Sequence, residues 1–351
     1  MTYTQNNQVE ISKKLREING FVPAGIKIKG WFSFLLEDLI RPYQRCYFGN
    51  RISNIIFDQT DPHRRNGRNI PGRSERVGQS INPRYFLSKN RVHTPYISTL
   101  ATRICDAEKT GRGRSATYAP IERLASIYDL IVIDEVQDLV GWDYSVLEYI
   151  LSNQDLDLYC VGDYRQTIYQ TSHANKNPKT SDQKRQWFID KGFTCQDLNH
   201  SWRCVDEICL FANILHAHQG YPATTSNAPA IPADFVDHIG IFTVSNDNVA
   251  AYLEQYNPTI LRRNRSTRND LCGKHYAQNY GKSKGLGFNR VLIIQTENYS
   301  NFLQGQISPL REARTEEALN KLYVAITRAK YSVAFFTDEA SRINSVTVWT
   351  P

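Results

Sequence analysis

No stretch of this 351-residue chain approaches the roughly 18 uninterrupted apolar residues of a membrane-spanning helix. The opening Met1-Thr2-Tyr3-Thr4-Gln5-Asn6-Asn7 is polar and is not a signal peptide. Together these absences imply a cytoplasmic protein without a membrane partner. The seven cysteines include no Cys-x-x-Cys pair, so neither a disulfide framework nor a zinc knuckle is suggested, and they read as buried thiols. Of the eight histidines only His216 and His218 lie close together, with no third ligand evident. Internal repeats and low-complexity tracts are also missing. With 41% hydrophobic and 22% charged residues, the composition excludes a disordered chain and fits about two globular domains.

What the chain has in excess is positive charge, and the excess is concentrated. Lys and Arg number 42 against 35 Asp and Glu, a net charge of +7. Between Pro62 and His93 stand eight basic residues (Arg64, Arg65, Arg68, Arg73, Arg76, Arg84, Lys89, Arg91) against Glu75, so this segment alone carries the surplus of the whole chain. A run of this kind is ordinarily a solvated surface. Tyr85, Phe86 and Tyr96 lie within or just beyond it, however, and basic side chains mixed with aromatics suit a phosphate backbone with stacked bases.

Periodicity supplies the fold class. Val9 to Ile18 reads as a helix with Val9, Ile11 and Leu15 near one face, and Trp31 to Ile40 as another, stopped by Pro42. Asp58 to Arg114 lacks a sustained apolar period and reads as an irregular insertion. Leu130-Ile131-Val132-Ile133 has the pattern of a buried parallel strand; Tyr144 to Leu151 reads as a helix and Leu156 to Val161 as the next strand, a βαβ unit. Strands at Ile239 to Val244, Thr259 to Arg262, Arg290 to Gln295 and Ser332 to Phe336, with helices at Asp206 to His216 and Glu316 to Ala325, repeat the grammar. The break between halves is expected near Gln170 to Phe193, and the class is α/β with parallel sheets.

The sharpest local signal is Asp134-Glu135-Val136-Gln137-Asp138, directly after the first strand. An acidic pair at a strand end can divide two tasks: Asp134 holding a Mg²⁺ that bridges nucleotide phosphates, Glu135 accepting a proton from an attacking water. Farther along stand Val161-Gly162-Asp163-Tyr164-Arg165-Gln166-Thr167-Ile168-Tyr169 and Leu198-Asn199-His200-Ser201-Trp202-Arg203. They are followed by Lys284-Gly285-Leu286-Gly287-Phe288-Asn289-Arg290-Val291 and Leu322-Tyr323-Val324-Ala325-Ile326-Thr327-Arg328-Ala329-Lys330.

In this order the set resembles the UvrD/Rep-like helicases of superfamily 1, across nearly the whole chain except the insertion. The resemblance implies two RecA-like P-loop NTPase domains: residues 1–175 with motifs Ia, Ib, II and III and an insertion at about 42–120, then residues 176–351 with motifs IV, V and VI. It implies Asp134 and Glu135 as metal carboxylate and base, Gln166 as sensor of the γ-phosphate, Arg203 and Arg328 as fingers on that phosphate, and Gly285 beside the nucleotide. Single-stranded DNA contacts are implied at Thr2, Tyr3 and Asn6, at Trp31 and Ser33, at Tyr169 and at Lys284. ATP and Mg²⁺ are the implied cofactors, and single-stranded or partially duplex DNA the implied partner.

The departures from the family pattern are as telling. No Gly-x-x-x-x-Gly-Lys-Ser/Thr occurs in the chain, so the backbone nest, lysine and hydroxyl that hold phosphates and Mg²⁺ are missing, as is the first strand of the sheet. Thr171 stands where a DNA-stacking tryptophan is usual, Gly287 where a ribose-holding glutamate is usual, and Gly281 at the motif V histidine. Only 80 residues separate Arg203 from Lys284, too few for a large accessory domain. The expectation is an ATP-dependent 3′-to-5′ DNA helicase core, inactive as given for want of its phosphate loop. The rival is a catalytically defective nucleic-acid-binding partner subunit, for example of a nuclease or phage-defence system.

Overall fold

The first helix, Gln5–Asn19, begins where the Thr4 hydroxyl accepts the Asn7 amide at 3.2 Å and ends at Gly20, whose left-handed backbone costs a glycine nothing. In this computed structural model, residues 1–2, 4–49, 51–57, 61–78, 80–107, 119–168, 176–313 and 315–351 are described. They form two compact units, Met1–Tyr164 with Tyr169–Phe193, and Arg165–Ile168 with Thr194–Pro351. The helix Ser181–Asp190, capped by a reciprocal Thr180–Gln183 box, therefore belongs with the first unit rather than the second half, because its Phe188 is buried in the first core.

In the first unit the segment around the basic run is built from very short strands. β1 (Asn54–Ile56) has its partner farther on; β2 (Arg64–Arg65) pairs antiparallel with β3 (Arg68–Asn69), and β4 (Arg76–Val77) with β5 (Ser80–Ile81). β6 (Leu87–Ser88) runs antiparallel to β7 (Arg91–His93), and β7 lies parallel to β1. The segment is thus less irregular than its composition implies, and it is shorter. Thr94–Ala107 is a helix whose Ile97, Leu100, Ala101 and Ile104 are fully buried, on one core with Leu35, Leu39 and Ile40 of a π-helical turn that continues the Trp31–Phe34 helix.

β8 (Leu130–Ile133) pairs in parallel with β9 (Asp157–Cys160), and the helix Trp142–Leu151 connects them, as the βαβ reading requires. The burial differs from that reading. Ile131 and Ile133 are buried, whereas Leu130 (52% exposed), Val132 (41%) and Tyr159 (58%) share the opposite, uncovered face. On the other side of β8, the Asp134 amide donates to the Met1 carbonyl at 2.8 Å, and Thr2 forms a parallel bridge with Gly30.

The second unit pairs β10 (His200–Ser201) with β11 (Thr225–Ser226) and holds a larger, fully parallel sheet. Its members are β12 (Gly240–Val244), β13 (Thr259–Arg262), β14 (Ala277–Asn279), β15 (Phe288–Ile294), β16 (Ala329–Phe336) and β17 (Val346–Val348), in the order β14-β13-β15-β16-β12-β17. Both faces are covered. Val291, Ile293, Val333 and Phe335 join a core with the helices Asp206–His216, Glu297–Leu303 and Glu317–Ile326; Leu292, Ile294, Ala334 and Phe336 pack with the helix Val249–Tyr256 and with Trp349. No helix among the described residues is long and apolar enough to cross a membrane.

Candidate functional site

Arg328 sits between the Glu317–Ile326 helix and β16, and only 2% of it is exposed. A buried guanidinium must have its donors used. Its Nε donates to the Val324 carbonyl at 3.2 Å, Nη1 to the Leu286 carbonyl at 3.3 Å, and Nη2 to the Gln166 Oε1 at 3.1 Å and the Thr327 hydroxyl at 3.4 Å. Half-buried Arg203 donates from Nη1 to the Thr327 carbonyl at 3.3 Å. A Cβ placed on Gly287 would stand 3.4 Å from the Arg203 Nε. In the second unit, then, Gln166, Arg203 and Arg328 converge on one short stretch, Leu286 to Gly287 and Thr327, although they are far apart in sequence.

The segment carrying Gln166 is held by residues the sequence reading did not single out. Asn320 donates to the Thr167 carbonyl at 3.0 Å, and Arg165 reaches the Thr224 hydroxyl at 3.1 Å while lying 4.9 Å over the Tyr323 ring. The Cys204 thiol approaches the Thr327 carbonyl at 3.5 Å. Its contact with Cys209, then the Ser201 hydroxyl and the charges of Arg203 and Arg328, push the Cys204 thiol down, against the effect of burial.

In the first unit the motif II loop has its own geometry. Asp134 is half-buried at the carboxyl end of β8. Glu135 adopts φ +58°, a left-handed conformation that costs a non-glycine residue about 1 kcal/mol. Its carboxylate is gripped at both oxygens: Asn7 Nδ2 donates to Oε1 at 3.3 Å and Gln137 Nε2 donates to Oε2. The Gln137 Oε1 in turn accepts the Asp163 amide at 3.2 Å, and the fully buried Lys184 donates to the Gln137 carbonyl at 2.5 Å. Gly162 is required by close approach, since a Cβ there would lie 2.3 Å from Gln137 Oε1 and 2.9 Å from Val136 Cγ1. Of these supports, Gln137 and Gly162 stood inside stretches already read as motifs and Asn7 follows Asn6, whereas Lys184 lies in a polar helical run with no local signal.

The donor set suits Mg²⁺ better than a metal that wants many protein ligands. Among the described residues no three His, Cys, Asp or Glu side chains gather, and Mg²⁺ is commonly held by one or two carboxylates together with phosphate and water.

Five of the sequence-derived contact residues are placed where the reading did not expect them. Trp31 is buried and its indole donates to Asp143 at 2.7 Å, so it is a core residue rather than a stacking face. Thr2 is buried, its backbone spent on Lys29 and Trp31, and Lys284 is buried beside Ser283, so neither side chain is presented to a strand of nucleic acid. Tyr85 stacks on His63 at 4.3 Å and Tyr96 packs tilted against the same ring at 4.8 Å, so neither offers an open face. Asn6 and Ser33 are exposed, and half-buried Gly285 has φ +81°. Tyr3 and Tyr169 lie outside the described residues. An opening of about 480 Å³ at the carboxyl ends of β15 and β16, lined by Thr267, Arg268, Gln295 and Thr337 among others, includes none of these residues.

Residues 98–186 match the UvrD/REP helicase N-terminal domain. No curated protein matches the chain in sequence. Two solved structures of an arterivirus helicase, nonstructural protein 10, are similar: one in complex with DNA (12% identity, TM-score 0.40) and one of the protein by itself (12%, 0.39). In each case 95% of this chain is covered, and it spans about half (52%) of the matched chain. The matched residues 98–186 take in Asp134 and Glu135 together with Gln137, Gly162 and Lys184, which support that loop.

Proposed function

We propose that the chain is the core of a UvrD-type helicase. Its two units are RecA-like, ATP and Mg²⁺ are its cofactors, and single-stranded DNA is its track, travelled 3′ to 5′. The observation that carries this reading is the convergence of Gln166, Arg203 and Arg328, a side-chain amide and two guanidiniums, on one stretch of the second unit. The half-buried Arg203 guanidinium beside the Gln166 amide can bind and orient a terminal phosphate and neutralise the charge it gathers in the transition state. Buried Arg328, its donors taken by Gln166 and main-chain carbonyls, would hold that amide in place. Glu135, held at both oxygens, is oriented to accept a proton from water. Asp134 would hold Mg²⁺, whose contribution is to bridge and neutralise the phosphate oxygens.

The chain lacks Gly-x-x-x-x-Gly-Lys-Ser/Thr, so this core is proposed to hydrolyse ATP negligibly by itself. The same absence favours a second reading, a nucleic-acid-binding partner subunit that no longer turns over nucleotide.

ATPase assays with and without single-stranded DNA, and binding of a fluorescent ATP analogue, test both. Analogue binding weakened by Gln166→Ala and by Arg203→Ala supports the nucleotide site. Equal binding by these variants removes it and leaves the partner reading. Turnover that Glu135→Gln abolishes overturns the proposed inactivity. Single-stranded DNA affinity is expected to fall with salt at a slope of about −0.7 per phosphate contact.

A further inference from the structure

We propose that the β2–β3 ribbon is a finger that grips the phosphate backbone of duplex nucleic acid, apart from the contacts of the helicase motifs. The ribbon turns through Asn66 (φ +51°) and Gly67 (φ +76°), two successive left-handed residues of the kind that close a tight hairpin. Across it, Arg65 stands directly opposite Arg68. Directly paired residues of an antiparallel ribbon project from the same side, and like charges placed so repel one another. Both side chains are exposed, and neither has a hydrogen bond or ion pair among the described residues. An anion between them turns that repulsion into attraction.

The surroundings reinforce this charge. Arg84, Lys89 and Arg91 are likewise exposed and without partners among the described residues, and the acid of the segment, Glu75, is taken by Arg103. The root of the ribbon is pinned: Asp61 accepts the Tyr96 hydroxyl at 2.6 Å and the His63 amide at 2.9 Å, and the Ile70 amide donates to the His63 carbonyl at 2.7 Å. Arginines on a fixed base meet a polyanion with less ordering cost than arginines on a loose loop.

Three features select duplex nucleic acid among polyanions. The segment's aromatics Tyr85, Phe86 and Tyr96 pack on one another and on His63, so the base-stacking platform that favours a single strand is not on offer. A two-stranded ribbon fits the major groove, where guanidiniums reach phosphates or guanine edges and asparagines reach adenine edges. The tip, Arg64-Arg65-Asn66-Gly67-Arg68-Asn69, carries no apolar side chain to enter a lipid surface.

The test compares the full chain with an Arg65→Ala/Arg68→Ala variant, titrated with a short DNA duplex and with one of its strands across a range of salt. We expect duplex affinity to fall roughly tenfold, and the magnitude of its salt slope by about 2, for two lost phosphate contacts. Single-strand affinity should move less than about twofold, and Arg65→Lys/Arg68→Lys should recover most of the loss. An RNA duplex bound equally well marks the contact as backbone only. Unchanged duplex affinity and slope, or an equal loss on the single strand, overturns the proposal, as does stronger binding to phosphatidylserine vesicles than to duplex. The ATP-analogue readout of Gln166 and Arg203 is independent of these titrations, so failure here is distinguishable from failure of the nucleotide site.

Discussion

The two units solve the burial problem differently. In the second, alternate residues of β15 and β16 supply two cores at once, Val291 and Val333 to one face, Leu292 and Ala334 to the other. In the first, β8 and β9 bury one face only, and the hydrophobic work is done by helices, Trp31–Phe34 with its π-helical extension, Thr94–Ala107 and Trp142–Leu151. The sheet of the second unit is its structural centre, whereas the short sheet of the first chiefly presents Asp134 and Glu135 at the end of β8.

One substitution made at two equivalent strand positions should break the comparison open. Val333→Asp buries an unpaired carboxylate in the two-sided sheet and should cost more than about 4 kcal/mol, read as loss of the cooperative transition assigned to the second unit. Val132→Asp, on the uncovered face, should cost under about 1 kcal/mol and leave both transitions in place. Equal costs would mean that the two strands are buried alike.

Acid should separate the units next. His238 is stacked between Phe242 at 4.0 Å and Tyr256 at 3.9 Å, and bonds the Tyr252 hydroxyl at 3.0 Å. Burial, and then the charge of Arg290, push it down to about 4. Folded below its unfolded value, this histidine favours the native state above about pH 6.5, and that contribution is lost as pH falls toward 4. The loss should amount to about 3 kcal/mol, confined to the second unit in urea melts, and His238→Phe should flatten it. A flat profile in the unmodified chain would remove the cause.

Gly162→Ala sharpens the contrast within the first unit. The clash with Val136 and Gln137 should cost about 2 kcal/mol and shift the motif II loop, measurable as a lower urea midpoint for that unit alone. The smallest effect is expected at Gly287→Asp, whose short carboxylate would pair with Arg203. It should weaken ATP-analogue binding by severalfold while stability moves by less than about 1 kcal/mol.

Much of this architecture was legible because strand and helix periods are local. Thr259–Arg262 and Asp206–His216 are found where their patterns place them, and Leu130–Ile133 is a strand as read. Which face of that strand is covered depends on distant neighbours, and an unbroken apolar run carries no information about a missing cover. The helix Thr94–Ala107 was hidden by its Thr and Ser content and by the basic run before it, although Ile97, Leu100 and Ile104 keep a helical interval. At the site, Gln166, Arg203 and Arg328 were visible as members of an ordered series. Trp31 was misread because an indole facing the buried Asp143 and one facing solvent look the same in sequence. Lys184 was invisible because its partner is a main-chain carbonyl, which no side-chain pattern records.

The Gln137 side chain joins two places at once, its nitrogen on the Glu135 carboxylate and its oxygen on the backbone of Asp163. Such an amide works like a tie rod between the turns that follow β8 and β9. Whatever draws Asp163 away must either tow the glutamate with it or let it go, so the orientation of that carboxylate registers movement in the next loop without any messenger beyond a single residue.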